Sequence, residues 1–350
     1  MSELQAINVA VIGANGYTGS ELLRLLFGHS AVRVVSITSR QHEGQKLSAA
    51  FPNCFLSSDL VFEALDVPVI SKKAQTVFLC LPHHESMEVA AAFLAQGVSV
   101  IDLSADFRLQ DVSVYEKWYG AHTQKGLLKE AVYGLPELHR SQIVGKKLIA
   151  SPGCYPTSIN LALAPALKNK LIELTGLICD SKSGISGAGR GAKAANLYAE
   201  FANDFKAYGV VGHRHTPEIE QELSLLAGET VVVKFTPHLL PISRGILSTV
   251  YAKVKSGVSL DTIQNAYEAF YQNESFVSVL PSGGLPQIKA VVGTNQCHIG
   301  LAFDERTQLL VIISVIDNLT KGASGQAVQC FNIAHGFSET MGLTSIALFP

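Results

Sequence analysis

The first forty residues restrict the fold more than any other stretch. Ile7-Asn-Val-Ala-Val-Ile12 is a short apolar run that passes directly into Gly13-Ala-Asn-Gly16-Tyr-Thr-Gly19. Ser20-Glu-Leu-Leu-Arg-Leu-Leu-Phe27 then continues with helical spacing as far as Gly28, and Val32-Arg-Val-Val-Ser-Ile-Thr38 supplies a second strand. A strand, a glycine turn, a helix and a further strand make a β-α-β unit, the seed of a doubly wound parallel sheet. The glycines allow a tight turn, let backbone approach a pyrophosphate, and let the helix pack closely on the strand. The helix N-terminus then meets the phosphate charge. Gly13, Asn15, Gly16, Tyr17, Thr18 and Gly19 are therefore the expected cofactor loop. The spacing is G-x-x-G-x-x-G instead of the commoner G-x-G-x-x-G, and a plain glycine-rich loop is the alternative reading.

The end of the second strand bears on which dinucleotide fits. An NAD-binding fold places Asp or Glu there to hold the ribose hydroxyls, whereas this chain reads Thr38-Ser39-Arg40. A hydroxyl beside a guanidinium suits a ribose 2′-phosphate, so Ser39 and Arg40 favour NADP; a merely exposed Arg40 is the alternative. Further α/β material follows. Thr76 to Leu81 is a buried-type strand ending in Pro82-His83-His84, ahead of a helical stretch from Glu85 to Gln96. Val98 to Leu103 is the next strand and ends in Ser104-Ala-Asp106-Phe-Arg108. Polar residues at carboxyl strand ends are where a doubly wound sheet builds its ligand crevice.

The remaining bulk properties agree with an α/β enzyme in a reducing compartment. The chain has 350 residues, long enough for two domains at roughly 150 residues each. With 27 basic and 29 acidic residues, the overall charge does not point to nucleic acid. Only 16% of residues are charged and 47% are apolar, which argues against disorder. Met1 to Ile7 lacks a basic region followed by an apolar core, so no secretory leader is expected there. The strongly apolar stretch Leu309 to Ile316 is interrupted by Ser314 and falls short of the ~20 residues of a membrane helix. Cysteines at 54, 80, 154, 179, 297 and 330 form no C-x-x-C pair, so neither a disulfide framework nor a zinc ribbon is expected. A cytoplasmic location with no membrane partner follows.

Ser151-Pro-Gly-Cys154-Tyr-Pro156-Thr is the sharpest local motif. Pro156 suits the first turn of a helix, and Ser158-Ile-Asn-Leu-Ala-Leu-Ala continues it. Cys154 then sits at the amino end, where the helix dipole favours the thiolate, the nucleophilic form. A buried structural cysteine is the alternative. A nucleophilic Cys needs a proton-handling partner, and Gly212-His213-Arg214-His215-Thr-Pro217-Glu218 concentrates that capacity. His213 and His215 share one face if the segment is extended. As a metal site this H-x-H lacks a third ligand, so no metal is expected. Two loops look suited to anions: Ser183-Gly-Ile-Ser186-Gly187-Ala-Gly189-Arg190-Gly191, and the turn-rich Phe235-Thr-Pro-His238-Leu-Leu-Pro-Ile-Ser-Arg244-Gly245. The first lacks the Gly-Lys-Ser/Thr ending of a P-loop. Asp317-Asn318-Leu-Thr-Lys321-Gly322-Ala-Ser follows the last strand and opens a small-residue helix that can return to the first domain. Leu280 to Pro286 reads as a loop.

Taken in order, Gly13–Gly19, Ser104–Arg108, Pro152-Gly-Cys-Tyr-Pro-Thr157, Ser183–Arg190, His213-Arg-His-Thr-Pro-Glu218, Arg244-Gly-Ile-Leu247 and Asp317-Asn-Leu-Thr-Lys-Gly322 resemble the N-acetyl-γ-glutamyl-phosphate reductases, relatives of aspartate-semialdehyde dehydrogenase. The resemblance spans nearly the whole chain. It implies an α/β protein with a Rossmann-type NADP domain over 1–150, completed by a C-terminal helix at about 318–350, and a catalytic and oligomerisation domain over 151–317. It implies a homodimer or homotetramer. It implies that Cys154 attacks an acyl phosphate to form a thioester that NADPH reduces, with His213 as acid/base. His215 and Glu218 would position substrate or His213. Arg108, Ser183, Arg190 and Arg244 would meet the substrate, and Leu81, Pro82, Ser186, Gly187 and Asn318 would join the cofactor loop. A carrier-linked or N-acetylated aminoadipyl phosphate is the rival substrate. A non-catalytic NADP-binding protein and a His-x-His metal hydrolase are the rivals of other classes.

Overall fold

The computed structural model describes residues 6–54, 59–192 and 194–349, so the amino-terminal reading over Met1–Gln5 lies outside the described residues. The chain forms two compact units, Met1–Pro152 with Ala323–Thr344, and Gly153–Gly322 with Ser345–Pro350. No helix among the described residues is long and apolar enough to cross a membrane.

Unit 1 is built on a parallel sheet. Its strands are β1 (Ile7–Ile12), β2 (Val32–Thr38), β3 (Phe62–Glu63), β4 (Thr76–Leu79), β5 (Ser99–Asp102), β6 (Val132–Tyr133) and β7 (Leu148–Ala150). They lie in the order β3-β2-β1-β4-β5-β7-β6, with every pairing parallel among the described residues. β1 and β2 fall where the apolar runs place them. Strand order reverses on either side of β1, which puts the ligand crevice of such a sheet at the carboxyl ends of β1 and β4. The helix after β1 starts at Tyr17, three residues earlier than its apolar spacing suggests, because Gly16 is already extended (φ −78°, ψ 170°) and acts as its cap.

The expected helix over 318–350 is shorter in the structure. A π-helical turn at Thr320–Ser324 leads into a helix over Gly325–Ala334. Gly336 takes a left-handed φ of 72° and donates its N–H to the Ile333 carbonyl, which stops the helix. That helix packs on those of Tyr17–Phe27 and Pro136–Ile143. Phe331 meets Phe78 of β4 at 5.7 Å between ring centroids, and Ser324 donates to the Thr18 carbonyl.

Unit 2 carries a mixed sheet of β8 (Leu177–Gly184), β9 (Lys206–Ala207), β10 (Val233–Leu240), β11 (Ile246–Lys253), β12 (Val277–Val279), β13 (Cys297–Asp304) and β14 (Leu309–Ile316). Their order is β12-β13-β14-β11-β8-β10-β9, with β8 parallel to β10 and β12 parallel to β13. The segment around Pro237 and His238 is therefore strand, and only the residues between Leu240 and Ile246 turn. The helices Cys154–Lys168, Thr216–Ala227 and Leu260–Tyr271 pack together on one face. A buried hydroxyl cluster sets the first of these on the sheet: Ser158 donates to Ser248 (2.9 Å) and reaches Ser314 (3.2 Å), and Ser181 meets Ser248 at 2.7 Å. The other face shows half-buried Leu247, Tyr251, Val311 and Ile313.

The glycine turn of unit 1 gives a stability test. A methyl on Gly19 would stand 2.7 Å from the Ala14 Cα, whereas one on Gly16 has no heavy atom within 4 Å. Gly19→Ala should cost about 1–3 kcal/mol in chemical denaturation. Gly16→Ala should stay within about 0.5 kcal/mol of the parent.

Candidate active site

In unit 1 the cofactor-loop residues gather at the carboxyl end of the sheet. Gly13 has φ 79°, and its N–H donates to Thr38 Oγ1 at 3.1 Å. A Cβ there would lie 2.6 Å from the Cys80 carbonyl and 3.1 Å from Leu81 Cδ2, so β1, β2 and β4 meet on this glycine. The helix that starts at Tyr17 has no side-chain cap and no acidic residue in its first turn among the described residues. Its leading N–H groups, with open space over Gly16, suit an anion. Ser39 is buried and accepts from the His42 N–H (3.1 Å). Arg40 is exposed and pairs with Glu85 at 2.8 Å, so its guanidinium joins the ends of β2 and β4. Leu81 and Pro82 continue β4 into its loop.

Two buried acids stiffen the same end. Asp106 accepts from the His84 N–H (2.9 Å), the Ser86 N–H (3.2 Å) and the Tyr115 hydroxyl (2.8 Å). It thereby holds the loop after β4 in which His84 adopts a left-handed φ of 72°. Asp102 accepts from the Ser104 hydroxyl and N–H, yet burial dominates and pushes its carboxyl up to about 6. Arg108, expected at the substrate, is buried; its Nε donates to the Ser151 carbonyl and its Nη2 to the Leu103 carbonyl, both at 2.7 Å. The fork that suits an oxyanion is thus engaged with backbone.

In unit 2 the helix starts on Cys154 itself, with Gly153 extended before it (φ −67°, ψ 152°). Cys154 is half-buried, and all six cysteines are free thiols. Burial pushes the Cys54, Cys80 and Cys179 thiols up, which leaves them inert. Glu218 was expected to orient substrate or His213. It is 1% exposed, and its carboxylate accepts the Gly153 N–H at 2.8 Å, so it anchors the residue before Cys154. The residue after Cys154 is gripped as well. The Tyr155 ring takes edge contacts from His213 (5.7 Å), His215 (5.9 Å) and Phe235 (5.3 Å), and its hydroxyl donates to the His238 carbonyl.

The two imidazoles come together, with centroids 4.9 Å apart, but not through an extended segment. Residues 210–215 form turns, and the His215 N–H donates to His213 Nδ1 at 3.1 Å. A backbone N–H can only donate, so the neutral His213 ring carries its proton on Nε2. Burial first, and then the Arg214 charge, lower its pKa to about 4.

The two glycine- and proline-rich loops converge on the residues after β14. Asn318 donates to Ser186 Oγ (2.9 Å) and accepts the Gly245 N–H (2.7 Å). Ser183 and Gly187 adjoin: a Cβ on Gly187 would lie 2.9 Å from Ser183 Oγ and 3.7 Å from Asn318 Nδ2. Arg244 pairs with the buried Asp317 (Nε to Oδ2, 3.0 Å) and donates to Thr320 Oγ1 (3.0 Å). Arg190 is exposed after the short 3₁₀ turn Ile185–Ala188. The structure adds residues to which the motifs assigned no role: Asp106 and Glu85 in unit 1, and Asp317 and Tyr208 in unit 2. Tyr208 donates to the Tyr155 hydroxyl and stacks edge-on to His213 (5.4 Å). Asp317 had a legible signal, an acid directly after a buried strand. Tyr208 had none.

Comparison with known proteins agrees with this division. Residues 8–146 match the model of the semialdehyde dehydrogenase NAD binding domain, and residues 154–318 that of the semialdehyde dehydrogenase dimerisation domain. Among solved structures, aspartate semialdehyde dehydrogenase with NADP from Candida albicans superposes with a TM-score of 0.71 at 14% identity, covering 94% of this chain and 98% of that one. Aspartate semialdehyde dehydrogenase II from Vibrio cholerae, complexed with ASA, gives 0.70 at 17% identity over the same shares. These likenesses establish the fold. The N-acetyl-gamma-glutamyl-phosphate reductase of Pelobacter propionicus is 54% identical over 98% of this chain and 100% of its own length. That of Pelotomaculum thermopropionicum is 51% identical over 99% and 100%. At that identity and coverage, the chain belongs to the N-acetyl-gamma-glutamyl-phosphate reductase family.

Proposed function

We propose that this chain reduces N-acetyl-γ-glutamyl phosphate to N-acetyl-glutamate 5-semialdehyde and phosphate, with NADPH as reductant. The observation that carries the reading is Cys154 as the first residue of a buried helix, with its neighbours held by Glu218, His213 and His215. Helix N–H groups stabilise a thiolate, and the Cys154 thiolate attacks the acyl carbon. The carbon–oxygen bond to phosphate breaks, phosphate leaves, and a thioester remains on Cys154. When bound, the nicotinamide supplies the hydride that reduces this acyl carbon. The resulting hemithioacetal oxyanion collapses, the carbon–sulfur bond breaks, and the aldehyde leaves the thiolate behind.

His213 suits the oxyanion step. A neutral imidazole with its proton on Nε2 is a hydrogen-bond donor, and a lowered pKa keeps it neutral at working pH. Arg190, exposed on its glycine-rich loop, is our assignment for the substrate phosphate or carboxylate, whose charge and paired oxygens suit a guanidinium fork. The cofactor fits the glycine loop: the uncapped helix start and the space over Gly16 suit a pyrophosphate, and Arg40 with Ser39 suits a 2′-phosphate. Gly13, Asn15, Tyr17, Thr18, Gly19, Leu81 and Pro82 complete that loop in the proposal; within unit 2, Ser186, Gly187 and Asn318 adjoin one another and are assigned to the cofactor by the family resemblance, with Ser183 assigned to the substrate. The half-buried sheet face with Leu247, Tyr251, Val311 and Ile313 is the surface we assign to a homodimer or homotetramer. Six free thiols fit the cytoplasm.

Four measurements test this. Cys154→Ser should lower turnover on N-acetyl-γ-glutamyl phosphate by on the order of a thousandfold or more while NADPH binding persists; near-normal turnover would sink the thioester. The same assay on an aminoadipyl phosphate decides the chain length. Arg40→Ala should raise KM for NADPH about 10- to 100-fold and leave NADH kinetics unchanged, and equal effects on both would remove the 2′-phosphate assignment. For pH, protonation of His213 is centred near 4, so between pH 5 and 8 it remains neutral and donating. The kcat/KM profile should then show no inflection near 6.5 arising from His213. An inflection there that His213→Asn abolishes would overturn the role.

A further inference from the structure

We propose that Gly322 is a positioning residue for the nucleophile: it lets the Asp317–Gly322 segment lie directly against Cys154, and no side chain fits between them. The proposal rests on Cys154 being the nucleophile. An ideal Cβ on Gly322 would stand 2.8 Å from the Cys154 Cβ, 3.2 Å from its Cα and 3.3 Å from the Asp317 carbonyl oxygen. Carbon atoms pack at about 3.5–4.0 Å, so a methyl here displaces something by on the order of 1 Å. Gly322 does not have a left-handed φ, so backbone conformation alone does not demand glycine. The demand comes from the neighbour.

Neither side of the contact yields easily. The Gly322 N–H donates to the Asp317 carbonyl at 2.9 Å. The Asp317 carboxylate is fixed by the Leu319 N–H (2.8 Å), the Thr320 N–H (3.0 Å), the Gly293 N–H (2.7 Å) and Arg244. Arg244 also holds Thr320, so segment 317–322 is braced on two loops. Opposite it, Gly153 is tied to Glu218, and Tyr155 is packed among His213, His215 and Phe235. With backbone fixed on both sides, the overlap that a methyl on Gly322 would create falls on the Cys154 side chain, whose Sγ is the attacking atom of the proposed reaction. A displacement of about 1 Å at a reacting atom can cost about a hundredfold in rate.

Gly322→Ala should therefore lower kcat about 10- to 100-fold, with KM for NADPH within about twofold. Alkylation of Cys154 by iodoacetamide, followed by mass spectrometry, should slow at least about threefold. Gly134→Ala is the matched control: its methyl would lie 2.9 Å from Ile149 Cγ2, a like overlap within unit 1. It should lower thermal stability and leave kcat per folded enzyme and thiol reactivity at parental values. A parental kcat and alkylation rate in Gly322→Ala, or the same losses in Gly134→Ala, would overturn the proposal. A stability cycle supplies a readout independent of turnover. Gly322→Ala should destabilise the Cys154→Gly background less than the parent, or fold only in that background; equal destabilisation in both would overturn the contact as the cause. Should Cys154→Ser retain activity, the nucleophile reading falls by itself, while alkylation and the cycle still decide the role of Gly322.

Discussion

The Asp317 carboxylate organises the end of unit 2 that carries Cys154. It lies at the end of β14, fully buried, and a buried carboxylate is costly unless its lone pairs are filled. Here they take three backbone N–H groups and the Arg244 fork. Each donor belongs to a segment that would otherwise be an irregular loop: 290–294, 241–245 and the turn after β14. One charge thus fixes three loops, and Asn318 adds a fourth through Ser186. Removing a single partner of such a group typically costs about 3–5 kcal/mol, which is why the neighbouring backbone can press against Cys154 without relaxing.

Similar groups in this chain sit in contrasting surroundings. Cys80 and Cys179 sit in strands or strand ends where burial keeps the thiol protonated, whereas Cys154 has a helix terminus behind it. His213 and His215 are two residues apart, yet only His213 has its Nδ1 occupied by a backbone N–H, which fixes its tautomer. Tyr155 and Tyr208 are held protonated by burial, the latter pushed up to about 12, so they act as spacers with hydrogen-bonding tips. A site assembled this way confines ionisation to few atoms.

Much of this was legible in the sequence where local pattern and chemistry coincide. Strands at 7–12, 32–38 and 309–316 follow from short, predominantly apolar runs, and the glycine turn follows from its place between strand and helix. Cys154 was legible because Pro-Gly before it and Pro156 after it mark a helix start. What was not legible depends on distant partners. Glu218 reads as part of a His-rich catalytic segment, but one helical turn carries it to the Gly153 N–H, 65 residues away in the chain. Arg108 reads as an anion binder because its fork would suit one; only the fold reveals that two carbonyls take it. The imidazole pair was reached for the wrong reason, since a turn and not an extended segment joins the rings. Pro237 suggested a turn, although a parallel neighbour on one side and a two-residue strand on the other leave room for it in β10.

The arginines show how a chain with so few charges divides them. A guanidinium offers five donors in a fixed plane and can bridge groups that an ammonium cannot hold at once. Arg108 spans the carbonyls of Leu103 and Ser151, at the ends of β5 and β7, and Arg244 spans a carboxylate and a threonine hydroxyl. Both are rigid forks placed where irregular backbone must be held. Arg40 and Arg190 are exposed, Arg40 next to Ser39 just past the end of β2 and Arg190 after the 3₁₀ turn Ile185–Ala188. Exposure makes the ion pair of Arg40 with Glu85 weak, because water competes for both partners. A weak pair such as Arg40 with Glu85 is easily exchanged for a phosphate, which brings more charge and three acceptor oxygens. Arg108 and Arg244 therefore brace irregular backbone within their own units, whereas Arg40 stands where its partner can be exchanged.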